Sequence, residues 1–347
     1  MIFFKTNMRI KAGHLPTRAC GAILFVAAIF PAYAPAVPES ATLPSGSSLA
    51  GTTANFPAAR DYVHPDASAM GIVRNLPGDW LEFGRRTFSR ENAPLLAGIA
   101  ASTALLVAVD GMLYEKTMDL GDRMGVQQVE RKSTIVRMYL PVINRDVGLL
   151  AVPNSLGTAM YFIGDGWLQF AITGGFLGYG WAAPDSRALK TAADLFETLT
   201  LNGVTVLAIK MSTGRENPIN RESPSGKWRF FPNPVTYLKN VTKYDAFPSG
   251  HLASVMGTVT VIAENYPEYR WIRPVGYGLM VPLAFQMVNS GVHWYSDYPL
   301  ALFMGYTFAK IVVGRRRVVR AGETAFMPEI MPLPMEGGGG LQLRWRM

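Results

Sequence analysis

Cysteine is nearly absent from this 347-residue chain, and histidine is scarce. The one cysteine, Cys20, excludes a disulfide scaffold and a cysteine-ligated zinc site. Any histidine chemistry must draw on His14, His64, His251 and His293. Charge is also sparse: 17% of residues are charged, against roughly 25% in ordinary globular chains. With 49% hydrophobic residues, that excludes a disordered chain. Also missing is any basic element with interleaved aromatics. The net charge is +8, yet the Lys and Arg are spread out, with short clusters only at Arg85-Arg86 and Arg315-Arg316-Arg317. This argues against nucleic acid and toward a small anionic substrate or a membrane surface.

What is present begins with an address. Lys5, Arg9, Lys11 and Arg18 precede an apolar run over 19–30, followed by Pro31-Ala32-Tyr33-Ala34-Pro35-Ala36. A basic stretch, a short apolar stretch and small residues in A-x-A spacing predict a signal peptide over 1–36 and an exported protein of the periplasm or cell envelope. The alternative is an uncleaved anchor, but the run is shorter than the roughly 20 residues a span needs. Cleavage after Ala36 would leave a mature chain without cysteine.

Residues 37–93 read as an N-terminal segment. A Ser/Thr/Ala/Gly/Pro-rich linker to residue 60 is followed by an amphipathic piece around Trp80, Leu81 and Phe83, with Arg85 and Arg86 opposite. The main domain is expected over 94–320. It holds apolar segments at 94–109, 158–181, 192–209, 252–263, 274–288 and 298–313, each long enough for a helix. The predicted fold is all-α, a bundle of about six apolar helices with the site at one end. Segments 111–157 and 214–247 read as long loops that shape its entrance. A tail over 321–347 carries Gly337 to Gly340 and then an alternating, strand-like end. Membrane topology has two incompatible readings. Six spans would put the basic flanks on one side, as the positive-inside rule asks. A cleaved signal would instead leave 37–93 outside and invert that bias.

Three pieces carry chemistry. Lys210 through Arg215 to Asn217-Pro218 ends one apolar helix; Phe247-Pro248-Ser249-Gly250-His251 precedes another; Gly291-Val292-His293-Trp294-Tyr295-Ser296-Asp297 lies between two more. Each sits where a helix meets a loop. Pro248-Ser249-Gly250-His251 is an anion cradle: glycine permits close backbone approach, and a helix N-terminus favours negative charge. Lys210 and Arg215 supply positive charge for phosphate-like oxygens. On a continuous helix His293 and Asp297, four apart, would share a face. Asp297 would then hold one imidazole nitrogen and present the other as nucleophile or base, with His251 as acid. Singly, each piece also reads as a turn, a helix cap or a surface pair.

Together the pieces resemble the signature of the type-2 phosphatidic acid phosphatase and vanadium haloperoxidase superfamily, over roughly residues 94–315. The resemblance implies a helical bundle that releases phosphate without a metal or other cofactor. It implies His293 as the nucleophile forming a phosphohistidine, Asp297 orienting it, and His251 protonating the leaving oxygen. Lys210, Ser249 and Gly250 would bind the phosphate. The substrate would be a phosphorylated lipid or another small phosphate ester. Two family arginines are replaced, by Asn217 and Met287. At roughly 1.5–3 kcal/mol for each charge-assisted hydrogen bond, their loss costs on the order of 10²–10⁴-fold in rate. Arg215 is the expected substitute, with Arg221, Lys227 and Arg229 as further candidates. The rival reading is a catalytically silent envelope protein with the same fold. A vanadate-dependent peroxidase would want the missing arginines even more.

Overall fold

The computed structural model describes residues 71–126 and 153–316 with their side chains, together with Gln128 and the backbone of residues 69–70 and of short strands elsewhere. The expected signal segment and nearly all of the linker, with Cys20, His14 and His64, lie outside the described residues.

Nine α-helices make up the described fold. They are α1 (Ala69–Thr87), α2 (Ala93–Met124), α3 (Leu156–Phe162), α4 (Gly166–Ala182), α5 (Ser186–Thr213), α6 (Pro234–Lys239), α7 (Gly250–Asn265), α8 (Ile272–Asn289) and α9 (Tyr298–Arg315). The all-α expectation holds. Asp165 divides the apolar segment 158–181: its side chain accepts from the Trp167 N–H at 3.0 Å and starts α4 as a new helix. The expected loop at 111–157 is a correction. There α2 runs on to Met124, and an antiparallel hairpin follows, β2 (Lys132–Leu140) with β3 (Arg145–Pro153). Four further short strands pair two by two. β1 (Tyr62–Val63) pairs with β4 (Val319–Arg320), and β5 (Glu329–Met335) pairs with β6 (Gly338–Arg344) at the strand-like end of the tail.

The core is built where α5, α7 and α9 pack together. Leu195, Val261 and Ala309 are fully buried there. The α7–α9 crossing is close because Gly305 has no side chain; a Cβ there would strike the Ala253 carbonyl. Phe83 of α1 stacks on Phe308 of α9 at 4.2 Å between ring centroids, which docks α1 on the bundle. Polar groups fasten the same end. Arg316 reaches Asp194 at 2.7 Å and Glu197 at 2.5 Å, and Lys190 reaches Asp194 at 2.6 Å, all of them buried. Arg315 bridges Glu197 and Asp79, joining α9 to α5 and α1.

α2 buries one narrow stripe: Leu106, Asp110, Tyr114, Thr117 and Gly121, spaced three or four apart. The rest of its surface is largely uncovered, Leu105 and Met112 included. Among the described residues, α2 and α5 are long and apolar enough to cross a membrane.

Candidate active site

The site lies at the opposite end of the bundle from the α9 ion network. Its three sequence pieces are joined by main-chain hydrogen bonds. Gly214 ends α5 in the left-handed region, at φ 53°, and its N–H caps the Lys210 carbonyl at 2.8 Å. The turn sends Arg215 back into the protein. The Ala246 N–H then donates to the Arg215 carbonyl at 2.9 Å, and the Ser249 N–H to the Asp297 carbonyl at 3.1 Å. The Trp294 indole N–H donates to the Glu216 carbonyl at 2.7 Å. The cradle, the end of α5 and the His293 loop are thereby held as one unit.

Within it the two histidines meet. Their ring centroids are 5.7 Å apart, edge to face. His251 also packs edge-on against Tyr161 of α3 at 4.8 Å. Ser249 caps α7, its hydroxyl accepting from the Leu252 N–H at 3.4 Å. α7 opens at Gly250, so the first-turn N–H groups point out of that helix end. Lys210 sits mostly buried and pairs with Asp245 at 2.8 Å.

His293 and Asp297 do not share a helix face. Residues Tyr295–Asp297 form a single 3-10 turn before α9, and the imidazole folds back over it. His293 Nδ1 is 2.7 Å from the Ala246 carbonyl oxygen and 3.4 Å from Asp297 Oδ2. A carbonyl only accepts, so Nδ1 carries the proton and Nε2 keeps its lone pair. Nε2 is buried and has no hydrogen-bond partner. Burial first, and the Lys210 charge second, push the His293 pKa down to about 3, so the ring is neutral at pH 7. The main orienting contact is therefore the Ala246 backbone, with Asp297 further off.

Asp297 is committed elsewhere. Its Oδ1 lies 2.5 Å from Arg215 Nη1, and its Oδ2 accepts from the Trp294 N–H at 2.7 Å. Burial pushes its pKa up to about 6 against the pull of Arg215. Arg215 is itself fully buried, and its Nη2 pairs with Asp110 of α2 at 2.8 Å. Its guanidinium also lies over the Trp228 ring at 4.8 Å.

Arg215, expected to contact phosphate, has both terminal nitrogens bonded within the protein, to Asp110, Asp297, the Ser296 hydroxyl and the Ser225 carbonyl. The other candidates also have carboxylate partners, although Arg221 Nη1 is buried without one. Arg221 pairs with Glu115, Lys227 with Glu222, and Arg229 with Glu216 and Glu222. Met287 is fully buried, and its carbonyl accepts from the Val292 and His293 N–H groups. Asn217 is buried as well. Two carboxylates escaped the sequence reading. Asp110 was legible only as the charge that ends the apolar run 94–109. Asp245 stands two residues before the cradle and is the counter-ion of Lys210.

No curated protein and no solved structure matches the chain. The model of the PAP2 superfamily does match, over residues 191–318, a span that begins in α5 and contains Lys210, the cradle, His293 and Asp297. Over that segment the chain is similar to the PAP2 superfamily.

Proposed function

We propose that the protein is an exported phosphoric monoester hydrolase acting on a lipid phosphate or another small phosphate ester through a phosphohistidine. One observation carries the reading: the buried, neutral His293 with its Nε2 lone pair unclaimed, its ring 5.7 Å from that of His251. Nε2 attacks phosphorus, and the P–O bond to the leaving group breaks as His251 gives that oxygen its proton. His251, now a base, takes a proton from water as its oxygen attacks phosphorus; the P–N bond breaks, its electron pair returns to Nε2 of His293, and inorganic phosphate leaves. The α7 N-terminus and Lys210 stabilise the charge on the equatorial oxygens. Lys210 must exchange or share its Asp245 partner to do so.

Asp297 acts here mainly through Arg215, holding the 3-10 turn on which His293 is mounted. The two apolar helices α2 and α5 support attachment to a membrane, where lipid phosphates reside. N-terminal sequencing of protein extracted from the cell envelope tests export: a start after Ala36 agrees, and a start at Met1 removes the claim.

A second reading is favoured by a specific observation: positions 217 and 287 carry Asn and Met, and both terminal nitrogens of Arg215 are bonded inside the protein. It makes the protein a phosphate binder without turnover. Phosphate release from a generic phosphomonoester and from phosphatidic acid in vesicles, by wild type and by His293→Gln, separates the two. Hydrolysis and an acid-labile phosphoenzyme in wild type alone support the enzyme. Their absence from both proteins selects the binder.

A further inference from the structure

Segment 228–241, beside the site, exposes an unusual number of large apolar side chains. Its polar anchors point inward. The Tyr237 ring is buried and its hydroxyl donates to Asp245 at 3.0 Å. Trp228 packs between the Arg215 guanidinium and the Phe247 ring of the cradle, at 4.8 and 5.3 Å. Its apolar side chains point out. Phe231 is 79% exposed and Leu238 73%, with Phe230, Val235 and Val241 exposed beside them. Surface loops ordinarily show the reverse, and contiguous apolar display marks an interaction site.

The display is built in. The Phe231 N–H donates to the Ser212 carbonyl at 2.9 Å, and the Arg229 N–H to the Gly214 carbonyl at 3.1 Å. Asn233 caps α6 through the Val235 and Thr236 N–H groups, at 2.9 and 3.2 Å. Phe231 sits at φ 51°, a region that bulky residues rarely adopt and that persists where the surroundings enforce it. So the chain holds a strained residue in order to turn an aromatic ring toward the outside.

Two observations say what covers this ridge. The first is charge. Lys227, Arg229 and Lys243 surround one exposed carboxylate, Glu222, and the exposed Lys239 lies next to Leu238. Aromatic and aliphatic side chains fringed by surplus cations suit an anionic bilayer interface. The second is continuity. The ridge is bonded to the last turn of α5, whose exposed Phe196, Val204 and Leu207 carry the apolar surface onward along a helix long enough to span. A globular partner would cover the ridge and stop, whereas a bilayer covers both.

We infer that residues 228–241 form a membrane-docking ridge, which seats the mouth of the site on an anionic lipid surface. This inference stands apart from the phosphohistidine reading, because it concerns where the molecule meets lipid and not what His293 does.

The test uses the full chain with Cys20→Ser and one added cysteine, Phe231→Cys or Leu238→Cys, labelled with an environment-sensitive fluorophore. Both positions are at the surface, so either variant serves if the other fails to fold. The protein is reconstituted in phosphatidylcholine vesicles with and without phosphatidylglycerol. The expected result is loss of fluorescence to shallow nitroxide-labelled lipid and protection from aqueous iodide, both stronger with phosphatidylglycerol. Iodide access without quenching by lipid overturns the inference. Protection from iodide without quenching by lipid overturns it too, and assigns the ridge to a protein partner such as a second copy.

Discussion

The Arg215 guanidinium lies 2.5 Å from the Asp297 carboxylate and, through its other terminal nitrogen, 2.8 Å from that of Asp110. One buried cation thus serves two buried anions on separate elements, α2 and the turn before α9. Nη1 also meets the Ser296 hydroxyl. That hydroxyl donates in turn to Asp110. The arrangement fixes the turn that carries His293 against a helix far away in sequence.

Removing the shared cation should therefore damage the fold as well as any activity. Breaking a buried ion pair from one side costs about 3–5 kcal/mol. We expect Arg215→Met to lower unfolding free energy by at least that order in denaturant titration, because two carboxylates lose their partner. Asp110→Asn, which removes only one anion, should cost less. A variant as stable as wild type would show that the cluster is dispensable.

Acid should weaken the fold through His293. Its pKa falls from the ordinary 6.5 to about 3, so the folded protein disfavours the protonated ring. That contribution is complete above pH 6.5 and is lost as pH falls through the window toward 3. At about 1.4 kcal/mol per unit it amounts to a few kcal/mol. Asp297, raised from 3.8 to about 6, works in the opposite sense: its share is present below 3.8 and lost as pH rises through 6. The wild-type curve mixes the two. The stability difference between wild type and His293→Gln isolates the first, and it should shrink steadily between pH 6.5 and 4. A constant difference would contradict a buried neutral imidazole.

Restoring a family arginine at position 287 should fail. Met287 is fully buried in α8, so a guanidinium there would be taken out of water. An unpaired buried charge costs several kcal/mol. Met287→Arg is expected to give little folded protein on expression or a sharply lowered melting temperature. A stable, more active variant would mean that α8 can rotate that side chain into the site.

Gly214→Ala tests the turn that sends Arg215 inward. The position is left-handed, and an added Cβ would collide with the Arg229 carbonyl. The conformational part alone costs roughly 1–2 kcal/mol. We expect a destabilised protein in which phosphate release falls with the displaced Arg215. Unchanged thermal unfolding would remove the turn from the argument.

The helices were legible because apolar runs of that length have few alternatives. The pieces of the candidate site were legible because PSGH and His-x-x-x-Asp are short, local patterns. What stayed hidden depended on three dimensions. Arg215 looked available for phosphate because nothing in sequence places Asp110, 105 positions earlier, against it. Asp297 looked like the imidazole's partner because the spacing was read as helical, whereas the chain makes a 3-10 turn there. The hairpin at 132–153 is hidden in the sequence because it follows a helix that continues beyond its apolar run.

The Ala246 carbonyl has a consequence for genetics. The hydrogen bond that selects the tautomer of His293 comes from the main chain, and every amino acid at position 246 would supply the same oxygen. Scanning mutagenesis is blind to such a contact. A survey of loss-of-function substitutions would find the histidine and miss what aims it. Only chemistry on the backbone itself, such as an ester or thioamide placed at that residue by semisynthesis, would bring it into view.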